Sequence, residues 1–255
     1  MSAQAKLARM WKPRLFGAAP ATPTLPAGVR IYAIGDIHGR ADLLDQVFSR
    51  IDADLARYPI AHPLQIFLGD YIDRGSHSAD VVTKLIDRAR HHKVVCLKGN
   101  HEIYVLEFLR NPPILRSWGQ YGGLSTLLSY GLAPSFSPTP EEEDELAREL
   151  ARVLPKSHSH FFSSLPVSFA CGDYFFAHAG IRPGAPLARQ SEEDLLWIRE
   201  EFLSCEESFE KVIVHGHTPV MEPEVRRNRI NVDTGAYATG RLSCVRLEGD
   251  QISFI

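Results

Sequence analysis

Between residues 29 and 110 the chain alternates three times between a short β-rich apolar run and a run with helical spacing. The segments "VRIYAIGD" (29–36), "LQIFLGD" (64–70) and "KVVCLKG" (93–99) read as strands. In "ADLLDQVFSRIDADLARY" (41–58), Leu44, Val47, Phe48, Ile51 and Leu55 recur at the spacing of one helix face. The segments "SADVVTKLIDRARHH" (78–92) and "HEIYVLEFLR" (101–110) read as two further helices. Strand and helix in strict alternation predict an α/β fold with parallel strands. The charged residues gather where strands end and helices begin, and α/β sheets hold ligands at the carboxyl ends of their strands.

The rest of the chain changes character. Residues 111–166 hold Pro and Gly breaks and one clear helix, "TPEEEDELARELARVL" (139–154), with Thr139 as N-cap, Pro140 in the first turn and acids behind it. The segment reads as a helical insert beside the core. Strand patterns return in the hairpin-like "VSFACGDYFFAH" (167–178) and at 211–217, 229–233, 241–247 and 251–255. A chain of 255 residues is long enough for one sizeable core, here spanning 29–255. The Pro/Ala-rich residues 1–28 have the composition of a disordered tail, a reading preferred over a weak likeness to a transit peptide.

Charge and cysteine usage exclude several classes. Net charge is −3, which gives no global signal for nucleic acid or an anionic membrane. Residues 1–30 carry five basic side chains and no acid, so 23 bases face 31 acids in the rest. No apolar run approaches the ~20 residues a membrane span requires. The four cysteines are far apart and form no CxxC, which predicts reduced thiols and a cytoplasmic protein.

Five strand ends carry metal-ligand residue types: "GDIHG" (35–39), "GDYIDRG" (69–75), "GNHE" (99–102), "FFAHAG" (176–180) and "HGHT" (215–218). Each alone has an innocuous reading. Asp70 and Asn100 fit helix N-caps, and His178 fits a satisfied histidine at a strand end. Five such endings in one chain point instead to a shared site. Carboxylate, imidazole and amide ligands suit Mn²⁺, Fe or Zn²⁺. Six ligands with one shared carboxylate would hold two metals, and such two-metal sites serve phosphate-ester hydrolysis.

GDxHG, GDxxDRG, GNHE, a later HAG and GHTP, in that order over about residues 29–247, resemble the phosphoprotein phosphatase family of metallophosphoesterases, with its bacterial, phage-lambda-like branch most similar. The resemblance implies two mixed β-sheets sandwiched between helices, with the insert outside. It implies that Asp36 and His38 hold a first metal, that Asp70 bridges, and that Asn100, His178 and His217 hold a second, with Mn²⁺ as the first choice. His101 would be the general acid, oriented by Asp73. Arg74, Arg199 and Asn100 would bind substrate phosphate. The implied chemistry is one-step, in-line attack by a hydroxide on the two metals. The expected activity is a serine/threonine protein phosphatase acting on phosphoproteins or phosphopeptides, with phosphotyrosine as a further substrate. The alternative is a dinucleoside polyphosphate hydrolase. Asp73 favours the first, because the dinucleotide enzymes typically lack that second aspartate.

The remaining signals are weaker. His215 is expected to pack or to support His217. His62, His77, His91, His92, His158 and His160 are expected to face solvent. Trp118 reads as core of the insert rather than as a groove wall, and Tyr237 is placed near the phosphate by resemblance alone.

Overall fold

The computed structural model describes residues 22–255. Ten strands, β1 (Val29–Ile34), β2 (His62–Phe67), β3 (Val94–Cys96), β4 (Ser168–Cys171), β5 (Tyr174–Ala177), β6 (Val212–His215), β7 (Glu224–Val225), β8 (Arg229–Asn231), β9 (Cys244–Glu248) and β10 (Gln251–Phe254), form two mixed sheets. Their orders are β10-β9-β1-β2-β3 and β4-β5-β6-β8-β7. The expected parallel pairing holds for β1 with β2 and β2 with β3. The return strand β9 lies antiparallel on the other side of β1.

Side-chain alternation along the strands sorts the core into layers. Ile31 and Ala33 of β1 face the same cluster as Tyr174 and Phe176 of β5 and Val212 and Val214 of β6, so the two sheets pack face to face. Their neighbours Tyr32 and Ile34 point the other way, into a cluster with Leu44, Val47 and Ile51 of helix Ala41–Arg57 and Val81, Val82 and Leu85 of helix Ser78–His91. Phe175, Ala177 and Ile213 face outward from the second sheet onto Leu195, Ile198 and Phe202. The result is helix, sheet, sheet, helix, as expected. Covered on both faces, β1 is buried throughout, and its one charged residue, Arg30, is paired with Asp54 and Glu248.

Two expectations need adjustment. The insert holds more than one helix: Leu115–Gln120, Gly123–Ser129, Pro140–Val153 and Lys156–Ser164. The first two have six and seven residues and flank Tyr121–Gly122, so neither is long enough to display a helical period; burial of Leu115, Trp118 and Leu127 holds them. The helix read from the sequence is present, with Thr139 and Glu142 forming a reciprocal cap. At the other end, the expected tail includes residues that dock. Leu25 is buried, and its N–H donates to the Gly249 carbonyl. The expected disorder of residues 1–21 lies outside the described residues.

Candidate active site

The five motifs converge at one end of the two sheets. Asp70 lies between two groups of possible metal ligands: His38 and His101 on one side, His178 and His217 on the other. His38 Nε2 is 3.5 Å from Asp70 Oδ2, and His178 Nε2 is 3.4 Å from Asp70 Oδ1. Asn100 Oδ1 is 2.9 Å from His178 Nε2. Asp36 falls outside both groups; its carboxylate accepts the His217 backbone N–H. All six expected metal ligands are therefore gathered and buried.

The backbone at these positions is unusual. His38, Asp70, Asp73, Arg74 and His217 have φ between 45° and 71°, and they are the non-glycine residues with positive φ among the described residues. Each such residue costs on the order of 1–3 kcal/mol, and such strain collects at functional sites. Close approach of chain segments adds a second constraint. A Cβ on Gly99 would collide with the Asp70 carboxylate, and one on Gly216 with that of Asp36. Those two glycines of GNHE and GHTP are there for the carboxylates opposite them.

Hydrogen bonding fixes the imidazoles. His38 Nδ1 faces the Ile72 carbonyl at 2.8 Å and His178 Nδ1 faces the Leu68 carbonyl at 3.0 Å. A carbonyl only accepts, so each Nδ1 carries the proton and each Nε2 presents a lone pair to the centre. Burial drives the His38 pKa down to about 3 and that of His217 to about 2, keeping both neutral. Burial, then Asp233 and Asp70, pushes the Asp36 carboxyl well above its usual range.

These features fit divalent cations. Three carboxylates, those of Asp36, Asp70 and Asp233, are buried in one neighbourhood. His217 Nδ1 lies 3.1 Å from His178 Nε2, while the buried His217 Nε2 has no partner. With its proton on Nδ1, His217 leaves Nε2 an orphaned lone pair. With its proton on Nε2, two lone pairs face each other. A cation resolves either case, and an all-nitrogen-and-oxygen donor set suits Mn²⁺, Fe or Zn²⁺.

Beside this centre stands a buried histidine–aspartate pair. His101 Nδ1 is 2.6 Å from Asp73 Oδ2. Burial alone would lower the His101 pKa; the Asp70 charge and the Asp73 hydrogen bond outweigh it and raise it to about 9. Asp73 is itself held by Trp118 Nε1 at 2.9 Å and by the Thr126 hydroxyl at 2.5 Å. Arg74 Nη2 reaches to 3.4 Å from His101 Nε2, and its guanidinium sits 4.7 Å over the Tyr237 ring. Arg199 is exposed and donates to Thr218 Oγ1 at 3.1 Å, next to His217. The expected phosphate arginines thus lie at the site's rim.

Several contributors escaped sequence reasoning. The Glu102 carboxylate accepts the backbone N–H groups of Gly99, Asp70 and Tyr71, so it clamps the Asp70 loop to the start of helix Asn100–Phe108. Its position three residues after Gly99 is the one a reciprocal helix cap uses, a signal present in GNHE. Burial and the nearby Asp70 raise its pKa to about 7. Trp118 is buried as expected, but it also donates to Asp73, which no local pattern announces. The expectation that His158 faces solvent is corrected: it is buried between Tyr130 OH at 2.8 Å and Thr83 Oγ1 at 3.1 Å. His215 is buried, with its ring 4.9 Å from Phe202.

Fold and centre together define a metallophosphoesterase. The model of the calcineurin-like phosphoesterase family matches residues 29–252, and the chain belongs to that family. Among curated proteins, it is similar to the asymmetrical bis(5'-nucleosyl)-tetraphosphatase PrpE of Halalkalibacterium halodurans, 26% identical over 87% of this chain and 91% of that one. The fold is shared with a solved structure titled "Crystal structure of a putative diadenosine tetraphosphatase", with a TM-score of 0.59, 20% identity, and coverage of 90% of this chain and 98% of that one. It is also shared with the cold-active protein-tyrosine phosphatase of a psychrophilic Shewanella, with a TM-score of 0.56, 14% identity, and coverage of 91% and 83%.

The likeness to PrpE over nearly the full length of both chains corrects the expected protein phosphatase, its phage-lambda-like branch and its phosphoprotein partner. That relative is a dinucleoside tetraphosphatase. The physical reason lies in Asp73. Its oxygens are committed to His101, Trp118 and Thr126. An aspartate whose oxygens are taken up in holding a histidine ring and two side chains of the insert does not report what is attached to a substrate's phosphate.

Proposed function

We propose that this protein hydrolyses dinucleoside polyphosphates of the bis(5'-nucleosyl) tetraphosphate class, cleaving them asymmetrically. The observation that carries this reading is the likeness to a curated asymmetrical tetraphosphatase over nearly the full length of both chains. The buried centre agrees with it, because a polyphosphate chain carries the negative charge that Arg74, Arg199 and bound cations would neutralise.

In this reading Asp36, His38, Asp70, Asn100, His178 and His217 would hold two divalent cations, with Mn²⁺ as the first choice. Bound there, the cations would supply charge neutralisation and lower the pKa of water. Arg74 and Arg199 grip non-bridging oxygens with planar, always-charged forks. Glu102 keeps the Asp70 loop in place through three backbone N–H groups. The bond from phosphorus to a bridging oxygen breaks as water oxygen bonds to phosphorus. His101 donates its proton to the departing oxygen, and Asp73 holds the ring in position and stabilises its charged form.

The test is product analysis. Purified protein with Mn²⁺ is given diadenosine tetraphosphate, and the nucleotides are separated. AMP with ATP in equal amounts is expected, with loss of turnover on chelation. Two molecules of ADP would refute the asymmetry, and no turnover would refute the substrate class.

A further inference from the structure

Six aromatic rings are exposed among the described residues: Tyr58, Tyr121, Phe136, Trp197, Tyr237 and Phe254. Three of them stand against the site, each on a different histidine. Tyr121 is 6.3 Å from His101, Tyr237 is 5.5 Å from His38, and Trp197 is 6.4 Å from His217, measured between ring centres. Burial accounts for none of them, since they are 45%, 42% and 40% exposed. Tyr237 has a partner in the Arg74 guanidinium above its ring. Tyr121 and Trp197 remain.

Their placement is two-sided. His101 faces Asp70 Oδ2, while His178 and the adjoining His217 approach Oδ1. Tyr121 therefore lies beyond one flank of the bridging carboxylate and Trp197 beyond the other. Each is built in. Tyr121 leans on Tyr104 at 5.8 Å, and the next residue, Gly122, accepts the Arg74 N–H. Trp197 ends helix Glu192–Trp197, whose Leu195 carbonyl accepts the Ala179 N–H beside His178. Each flank also has one arginine at the rim, Arg74 on the first and Arg199 on the second.

We propose that Tyr121 and Trp197 are nucleobase platforms, one on each flank of the phosphate site. A base has a flat π-face whatever its identity, so an exposed ring beside a phosphate site binds nucleotides with little base preference. The inference rests on the tetraphosphatase reading for its substrate, but the platforms are testable without it.

Two ratios isolate the base. The first is kcat/KM for diadenosine tetraphosphate over kcat/KM for inorganic tetrapolyphosphate, which has no base. It is expected to fall by about tenfold or more in Tyr121→Leu and in Trp197→Leu, a typical loss for one stacked base, and to recover in Tyr121→Phe and Trp197→Phe. The second is the calorimetric affinity for AMP over that for ribose 5-phosphate, expected to fall towards one in the Tyr121→Leu/Trp197→Leu double variant. Unchanged ratios would overturn the platforms. Equal losses on both members of each pair would also overturn them, since that is what a disturbed phosphate site gives. If wild-type protein leaves diadenosine tetraphosphate intact, the tetraphosphatase reading fails, and the AMP ratio still decides the platforms.

Discussion

His101 and Asp70 are adjacent, but the proposed function gives them different work, and their variants should separate. Asp70→Asn removes the charge shared by both ligand groups. Bound metal, measured by elemental analysis after dialysis, is expected to fall from two ions towards none, with activity lost. His101→Asn leaves the metals and removes the proton donor, a loss of roughly 10²–10⁴ in rate. The fall should be larger for phenyl phosphate than for para-nitrophenyl phosphate, because the poorer leaving group depends more on protonation. Equal falls on the two esters would remove His101 from the acid's role. Both residues were legible in sequence because each sits in a motif of a few consecutive residues. Asp233 and Glu102, buried in the same centre, were not singled out: GNHE carries a capping signal for Glu102, but what both residues contribute depends on which backbone N–H groups and carboxylates the fold brings to them.

At the scale of elements, the helical insert is part of the site. Its helix Leu115–Gln120 supplies Trp118 and its helix Gly123–Ser129 supplies Thr126, both to Asp73. Trp118→Phe keeps the ring and deletes the N–H. A lost hydrogen bond to a charged group is worth about 1.5–3 kcal/mol, so kcat is expected to fall about tenfold or more with KM nearly unchanged. Further along, His158 in helix Lys156–Ser164 ties the insert to Thr83 of helix Ser78–His91. Burial holds its pKa below the ordinary value. The unfolded chain then binds the extra proton, so this contribution is intact above about pH 6.5 and is lost as pH falls from there towards the folded pKa. Urea midpoints at pH 8 and pH 5.5 should differ less in His158→Gln than in the wild-type protein. The insert's first helices were missed in sequence because six or seven residues around Tyr121–Gly122 carry no readable period.

For the whole molecule, the site joins both sheets: Asp36, Asp70 and Asn100 follow β1, β2 and β3, while His178 and His217 follow β5 and β6. A ligand bound there links the two halves of the sandwich. Metal-loaded protein is therefore expected to melt at higher temperature than chelated protein, and Asp70→Asn should abolish the difference. What the sequence by itself determined was the alternating α/β core, the layered sheets its family resemblance implied, and the residues gathered at the strand ends. Each of those signals is local, set by side-chain period or by a turn of a few residues. Only the tertiary structure decided that Trp118 and Thr126, 45 and 53 residues away, hold Asp73, and that Tyr121 and Trp197 flank the centre. Such contacts form between segments with no shared local pattern. For the same reason, motifs built to handle a phosphoryl group did not reveal the group attached to it.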